Sequence, residues 1–204
     1  MENSRRADKI RIFIGIAIQE NLKGDLKKLE NELSEARADV KWVKTENLHI
    51  TLKFLGFTPA DKIPDIFGAL KPLLSCINPF LLNLKGVGAF PEGSSPRVVW
   101  VGVEDGKGDI SNLQKKIEEA LEKLNFSREN REYKPHLTIG RFKGRKNAAS
   151  LERRITAKHA SAFGEMAVRT IDIVRSDLGP EGPAYTVLHK IDLKNSSEAG
   201  RVAG

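Results

Sequence analysis

Two stretches of this chain are similar to each other, and they constrain its fold more than any other feature. Leu48–Gly56 has the sequence LHITLKFLG, and Pro135–Gly144 has the sequence PHLTIGRFKG. In both, apolar residues alternate with other residues at a period of two, which predicts a strand with one buried face. Self-similarity over such a distance predicts two related lobes that face each other, each contributing one of the two strands.

The remaining hydrophobic patterns predict further strands and helices that are interleaved along the chain. Strands are expected at Ile10–Ile18, Leu48–Leu55, Phe80–Ala89, Val98–Glu104, His136–Phe142, Glu165–Asp177 and Tyr185–Leu193, and helices at Asn21–Arg37, Lys62–Leu74, Ile110–Leu124 and Ala149–Lys158. Because the strands come in antiparallel-looking pairs with helices between them, the order predicts an α+β fold.

Composition excludes several classes of protein. The chain has 204 residues with 34 basic and 27 acidic side chains, and its net charge of +7 favours anionic partners such as RNA. No apolar run approaches the roughly 20 residues that cross a bilayer, and the first apolar stretch has the pattern of a strand rather than of a signal peptide. The single cysteine, Cys76, excludes an internal disulfide, fits a reducing cytoplasm and is expected to be a small core residue.

Both similar strands contain a His-x-Thr sequence, His49-Ile50-Thr51 in one and His136-Leu137-Thr138 in the other. Residues i and i+2 of a strand point to the same side, so each strand presents an imidazole and a hydroxyl opposite its apolar face. If a pseudo-twofold axis relates the lobes, the two pairs converge in one groove. Two imidazoles act there as acid and base for an in-line displacement at phosphorus, while the hydroxyls donate to the phosphate oxygens. This scheme requires no metal.

Other kinds of site are less well supported by the sequence. A metal site lacks ligands, because two His-x-Thr strands supply only two imidazoles and no cysteine pair or HExxH spacing completes a set. No Walker or Rossmann phosphate loop and no Gly-x-Ser-x-Gly sequence is present. A single strand histidine is more often structural than catalytic, and His159 and His189 are expected to be structural residues.

Longer blocks around these strands resemble a known family. KWVKTENLHITLKFLG, SSPRVVWVGV, YKPHLTIGRF and GPAYTVLHKIDL are similar, in this order, to the signature blocks of the 2H phosphoesterase superfamily. Within that superfamily the chain most resembles the RNA 2′,3′-cyclic phosphodiesterases, formerly called 2′-5′ RNA ligases. The resemblance covers about Ile10 to Leu193, and its most specific part is the pair of HxTx tetrads, His49–Leu52 and His136–Ile139.

The resemblance implies a bilobal, pseudo-twofold arrangement of two antiparallel sheets that line a central cleft, with helices packed outside. Residues 1–193 would form one domain of two related lobes, and residues 194–204 a disordered tail. The implied reaction is hydrolysis of a 2′,3′-cyclic phosphate, on an RNA end or a nucleotide, to a 2′-phosphomonoester. The implied enzyme works without a cofactor or metal, and we expect a cytoplasmic monomer with no membrane association.

The resemblance also implies roles for the site residues. His49 would protonate the departing 3′ oxygen and His136 would take a proton from the attacking water, an assignment that spacing alone leaves open. Thr51 and Thr138 would hold the phosphate. Arg141 would face the phosphate or ribose, although simple alternation puts it opposite His136, so a bend or bulge near Gly140 is required.

Three further residues are candidates for binding substrate. Lys53 shares the face of His49 and Thr51 by alternation and would add positive field, the alternative being a solvated strand-end lysine. Phe13 lies on the less apolar face of the first strand and would stack on a base, the alternative being a core residue. Arg97 begins the strand after the turn-rich PEGSSP and would meet the RNA backbone.

Two other functions remain open at this point. The same cleft would suit RNA ligation, in which a 5′-hydroxyl rather than water attacks the cyclic phosphate. The positive charge would also suit a non-catalytic module that binds RNA ends. Intact imidazole and hydroxyl pairs favour the enzymatic functions, and the abundance of water favours hydrolysis over ligation.

Overall fold

The computed structural model describes residues 8–91, 95–180 and 182–194. In these residues nine strands form one sheet: β1 (Lys9–Ala17), β2 (Val40–Trp42), β3 (His49–Pro59), β4 (Phe80–Phe90), β5 (Val98–Val103), β6 (His136–Phe142), β7 (Ala162–Val168), β8 (Thr170–Gly179) and β9 (Gly182–Asp192). The α-helices are α1 (Glu20–Ser34), α2 (Ile63–Leu74), α3 (Lys107–Glu122) and α4 (Ala148–Ala157), and short 3₁₀ turns cover Thr45–Asn47 and Ala60–Lys62.

The sheet consists of two halves that meet at its centre. The strand order is β7-β4-β5-β6-β3-β1-β8-β9, with β2 paired to the far end of β6, and all pairings are antiparallel. The predicted α+β fold is confirmed. The two expected sheets are these halves, which join edge to edge through the pair Ile50↔Leu137 of β3 and β6.

The predicted strand Glu165–Asp177 is two strands, and the break has a topological consequence. β7 pairs with β4 in one half of the sheet, and after Arg169 the chain continues as β8, which pairs with β1 in the other half. The apolar pattern runs through both strands, so the sequence gives no sign of the crossing. β2 was not predicted either, because three residues are too few for a periodic pattern.

The core lies on the helical side of the sheet. Ile50 and Leu137, between the histidine and threonine of each motif, have no solvent exposure. The apolar stripes of the helices cover this side; α1 buries Leu22, Leu26, Leu29 and Leu33, and α3 buries Ile110, Leu113, Ile117 and Leu121. Packing of the Ile and Leu side chains against the helices therefore turns the histidines and threonines to the opposite face of the sheet.

One local prediction is wrong. Cys76 is exposed, because α2 ends at Leu74 and the cysteine falls in the turn that follows. In β1 the centre of the strand is buried on both faces, since Phe13 and Gly15 lie under other side chains rather than facing solvent. No helix among the described residues is long and apolar enough to span a bilayer. Except for Lys194, the predicted tail lies outside the described residues.

Candidate active site

The register at the centre of the sheet brings the two His-x-Thr motifs together. Because Ile50 pairs with Leu137 in an antiparallel arrangement, His49 is opposite Thr138 and Thr51 is opposite His136. The two histidines then occupy diagonal positions, which in a regular antiparallel pair are about 7–8 Å apart. Two imidazoles and two hydroxyls therefore surround one point on the pseudo-twofold axis.

The same backbone contact orients both imidazoles. His49 Nδ1 lies 2.7 Å from the carbonyl oxygen of Asn47, and His136 Nδ1 lies 2.7 Å from the carbonyl oxygen of Lys134. A carbonyl only accepts, so Nδ1–H is the donor in each ring. Nε2 is therefore the nitrogen of each ring that is left to exchange a proton with a ligand.

Aromatic side chains pack around the histidines. Phe13 stacks on His49 with 4.4 Å between ring centroids, and Tyr185 meets the same imidazole edge-on at 5.1 Å. Phe90 meets His136 edge-on at 5.2 Å. These contacts restrict rotation of both rings and remove part of each from water.

Burial changes the proton affinity of both histidines. It is the main cause that lowers the pKa of His49 below its ordinary value of 6.5, with smaller lowering by the charges of Arg141 and His136. Burial also lowers the pKa of His136, again with a contribution from Arg141. The hydrogen bonds to Asn47 and Lys134 oppose these shifts. Both imidazoles therefore tend towards the neutral form in the unliganded protein.

A β-bulge follows each motif and decides which side chains enter the cleft. In β3, Gly15 pairs with Thr51 and Ile14 with Lys53, so Leu52 is the extra residue. In β6, Trp100 pairs with Thr138 and Val99 with Gly140, so Ile139 is the extra residue. A bulge reverses the alternation beyond it. The fifth residue after each histidine therefore joins the cleft face, and these residues are Phe54 and Arg141.

The bulge required for Arg141 is thus present. Arg141 lines the same cavity as His49, Thr51 and Thr138, and its charge lowers the pKa of both motif histidines and counteracts the rise in the pKa of Tyr185. The guanidinium is consequently close enough to act on an anion between the imidazoles.

The corresponding bulge in β3 makes the placement predicted for Lys53 wrong. Lys53 lies with the core-facing residues, is 6% exposed, and its Nζ is 2.5 Å from Glu118 Oε2 and 2.8 Å from the carbonyl oxygen of Ser127. It is therefore neither solvated nor free to bind substrate, since its charge is neutralised by α3.

The structure bears differently on the predictions for Phe13 and Arg97. Phe13 is 3% exposed and its ring covers His49, so its burial favours the alternative of a core residue over stacking on a base. Arg97 is exposed immediately before β5 and lines the cavity that contains Thr51 and His136. It lies at the rim on the side of the second motif, where its expected contact with RNA stays a prediction.

Several residues of the site were not predicted. Arg11, Lys41 and Tyr185 line the cavity beside His49, and the hydroxyl of Tyr133 donates to the carbonyl oxygen of Thr51 over 3.0 Å. Arg11 could have been predicted, because it is two residues before Phe13 and therefore lies on the same face of β1. The others depend on pairings between strands distant in sequence.

The other two histidines lie outside the His-x-Thr motifs, although His159 lines a cavity that also contains His136. His189 stacks on Phe67 of α2, and His159 hydrogen-bonds through Nδ1 to the carbonyl of Thr156 just after α4. Among the residues that the structure describes, no three His, Cys, Asp or Glu side chains lie close enough to hold a metal ion together.

Comparison with known proteins identifies the family. The family model for the 2′-5′ RNA ligase superfamily matches residues 19–180. The RNA 2′,3′-cyclic phosphodiesterase of Archaeoglobus fulgidus is 40% identical over 177 residues, which cover 86% of this chain and 96% of the relative. That of Methanothermobacter thermautotrophicus is 37% identical over 178 residues, covering 87% and 96%.

Solved structures have the same fold. The protein TT0787 of Thermus thermophilus superimposes with a TM-score of 0.77 at 29% identity and covers 92% of this chain and 100% of its own. E. coli LigT in complex with 3′-AMP superimposes with a TM-score of 0.73 at 21% identity, covering 92% and 99%. From the family match, the identity to these relatives and the nearly complete coverage, this chain belongs to the 2′-5′ RNA ligase superfamily.

Proposed function

We propose that this protein hydrolyses the 2′,3′-cyclic phosphate of RNA ends and nucleotides to a 2′-phosphomonoester, using His49 and His136 as acid and base. The observation that carries the proposal is the pair Ile50↔Leu137, which sets both His-x-Thr motifs around one point. The relatives named RNA 2′,3′-cyclic phosphodiesterase support a hydrolase of this kind.

The reaction is a single in-line displacement. His136 Nε2 accepts a proton from water as the water oxygen forms a bond to phosphorus. The bond from phosphorus to O3′ breaks, and His49 gives its proton to O3′, leaving a 3′-hydroxyl and a 2′-phosphate. Thr51 and Thr138 donate hydrogen bonds to the non-bridging oxygens, where negative charge grows, and Arg141 stabilises the same charge.

The lowered pKa of His136 suits its proposed role as base in the free protein, whereas His49 becomes suited to its role as acid only after substrate binds. His136 must be neutral to accept a proton, and its burial favours that form. His49 must be protonated, whereas its burial disfavours the imidazolium. A phosphate anion bound beside His49 favours the charged ring. The substrate thus helps to bring its own acid catalyst into the active form.

Alanine variants of the two histidines test the proposal. We expect His49→Ala and His136→Ala each to lose about 10²–10⁴-fold in turnover of adenosine 2′,3′-cyclic phosphate while remaining folded, as is usual for loss of a general acid or base. His189→Ala, which removes the histidine stacked on Phe67 of α2, is the matched control and should retain activity.

Product analysis identifies the ester oxygen that leaves. A 2′-phosphate product, identified by chromatography or ³¹P NMR, agrees with O3′ as the leaving oxygen, and a 3′-phosphate product would show that O2′ leaves instead. Full activity in the double variant His49→Ala/His136→Ala would refute the mechanism.

A further inference from the structure

The hydrogen-bond partner of His136 lies in a loop rather than in a strand or helix. His136 Nδ1 donates to the carbonyl oxygen of Lys134, at the end of the loop of residues 127–134 that precedes β6. Most of this loop is exposed, and no backbone–backbone hydrogen bond joins it to another part of the chain that the structure describes. The carbonyl of Lys134 therefore keeps its position only if side chains anchor the loop.

The side chain of Tyr133 anchors the loop directly beside Lys134. Its hydroxyl donates to the carbonyl oxygen of Thr51 over 3.0 Å, and its ring packs against the hydrophobic core. Burial raises the pKa of this hydroxyl, so it keeps its proton, and remains a donor, at neutral pH. Tyr133 thus attaches the end of the loop to β3.

A second anchor lies at the start of the loop. Lys53 Nζ, on the core side of β3, donates to the carbonyl oxygen of Ser127 over 2.8 Å. Both anchors are therefore on the strand of the first motif. Because Ser127 is at the opposite end of the loop from Lys134, the contact with Lys53 does not fix the carbonyl beside His136. That carbonyl depends on Tyr133.

His49 is oriented in a different way. The carbonyl that accepts from its Nδ1 belongs to Asn47, which ends the first 3₁₀ turn. The backbone N–H of Asn47 donates to the carbonyl of Lys44 over 2.8 Å, and its side-chain amide donates to the carbonyl of Pro183 over 2.9 Å. The turn itself holds this carbonyl, so the first motif does not depend on a tyrosine.

The bond of Tyr133 also lies beside the catalytic centre. Thr51, which accepts it, is opposite His136 across the pair of β3 and β6, and all three residues line one cavity. A hydrogen bond to one nitrogen of an imidazole decides which nitrogen carries the proton in the neutral ring. If the carbonyl of Lys134 moves, His136 loses the contact that keeps the proton on Nδ1, and Nε2 is no longer held as the acceptor.

We infer that Tyr133 is a positioning residue for His136. Its hydrogen bond to β3 holds the carbonyl of Lys134 where it orients the imidazole, so that Nε2 accepts the proton of the attacking water. The inference rests on the proposed function. It gives Tyr133 a role in the rate of the chemical step and none in binding the substrate.

The variant Tyr133→Phe tests the inference, because it removes the hydroxyl and keeps the ring against the core. With adenosine 2′,3′-cyclic phosphate we expect kcat to fall about 2- to 10-fold, the loss that corresponds to one hydrogen bond, while KM changes little. The matched control is Glu122→Gln. It breaks the exposed ion pair with Arg128 at the other end of the loop and should retain the wild-type kcat.

Long-range ¹H–¹⁵N NMR of the four histidines separates positioning from a general loss of structure. In the wild-type protein, neutral His136 should carry its proton on Nδ1. In Tyr133→Phe the Nε2–H form should gain population and the pKa of His136 should fall, because the hydrogen bond to Lys134 raises that pKa in the wild-type protein. The tautomer of His49 should not change.

The outcomes distinguish the two hypotheses. A wild-type kcat in Tyr133→Phe would overturn the positioning role and leave the proposed function standing, and so would a reduced kcat with an unchanged tautomer and pKa of His136. An equal change of tautomer at His49 and His136 would also overturn it. If the wild-type protein does not turn over the cyclic phosphate, the proposed function fails, and the tautomer of His136 in Tyr133→Phe still shows whether Tyr133 orients this ring.

Discussion

Replacing Lys53 by methionine should destabilise the protein far more than removal of an ordinary lysine. Lys53 and Glu118 have side chains that are 5% and 8% exposed, and their charged atoms lie 2.5 Å apart. Glu118 also accepts a hydrogen bond from Gln114 over 3.1 Å. Lys53→Met keeps most of the apolar volume but leaves the Glu118 carboxylate buried beside a thioether, which cannot neutralise it.

The magnitude follows from the burial of both partners. Removing one member of a buried ion pair costs about 3–5 kcal/mol, because an uncompensated charge remains. In a chain of this size each kcal/mol lowers the melting temperature by about 2–4 °C, so we expect a decrease of about 6–20 °C. Urea unfolding gives the free energy directly.

Two further variants isolate the effect of charge. In Lys53→Met/Glu118→Gln the buried carboxylate is gone and the new amide oxygen still accepts from Gln114, so most of the lost stability should return. Lys62→Met breaks the exposed pair with Asp65 and should cost at most about 1 kcal/mol. A loss of about 1 kcal/mol or less in Lys53→Met, or no recovery in the double variant, would refute the reasoning.

Two kinetic predictions concern the histidines. Burial holds the pKa values of His49 and His136 in the free protein below 6.5, so the bell-shaped kcat/KM profile should have its maximum below pH 6.5, and the active protonation state is lost as the pH rises. Because bound phosphate favours protonated His49, kcat should persist to higher pH than kcat/KM. A kcat/KM maximum above pH 6.5 would contradict this account. Phe13→Leu removes the ring stacked on His49 and should lower kcat in steady-state assays about 2- to 10-fold, which corresponds to the free energy of an aromatic pair. The control Phe57→Leu replaces a side chain that is 68% exposed and should leave kcat unchanged.

The sequence predicted the elements of the fold better than their connections. β6 was predicted with its observed ends, His136 and Phe142, because apolar residues alternate in its first half and it is followed by Lys143 and Gly144. The split between β7 and β8 was missed, since the apolar pattern is continuous through Arg169 while the pairing partners, β4 and β1, lie in different halves of the sheet. Local periodicity contains no information about which distant strand becomes the neighbour.

In the candidate site, too, residues fixed by local spacing were predicted, and residues that depend on a bulge or on pairing between distant strands were not. The motif histidines and threonines were found because spacing i, i+2 fixes the face of a strand. Lys53 was misplaced, because strict alternation ignores the bulge at Leu52. Gly140 gave a local sign of the equivalent bulge in β6, whereas β3 contains no glycine near Leu52. Arg11 joins the site through its contact with Phe54, which only the pairing of β1 with β3 creates.

The two bulges also explain how a pseudo-symmetric cleft can orient an asymmetric substrate. Four groups, His49, Thr51, Thr138 and His136, are related by the pseudo-twofold axis, so by themselves they cannot distinguish which ester oxygen of a cyclic phosphate leaves. The positions after the bulges do differ, with the cation Arg141 on one strand and the half-exposed aromatic Phe54 on the other. Lys41 lies opposite Arg141, whereas Arg11 lies over the ring of Phe54 with its guanidinium carbon 4.5 Å from the ring centre. Under the proposed mechanism, a substrate with a charged backbone and a flat base would meet these different surfaces in one preferred orientation, so the choice between His49 and His136 as acid would depend on side chains outside the motifs themselves.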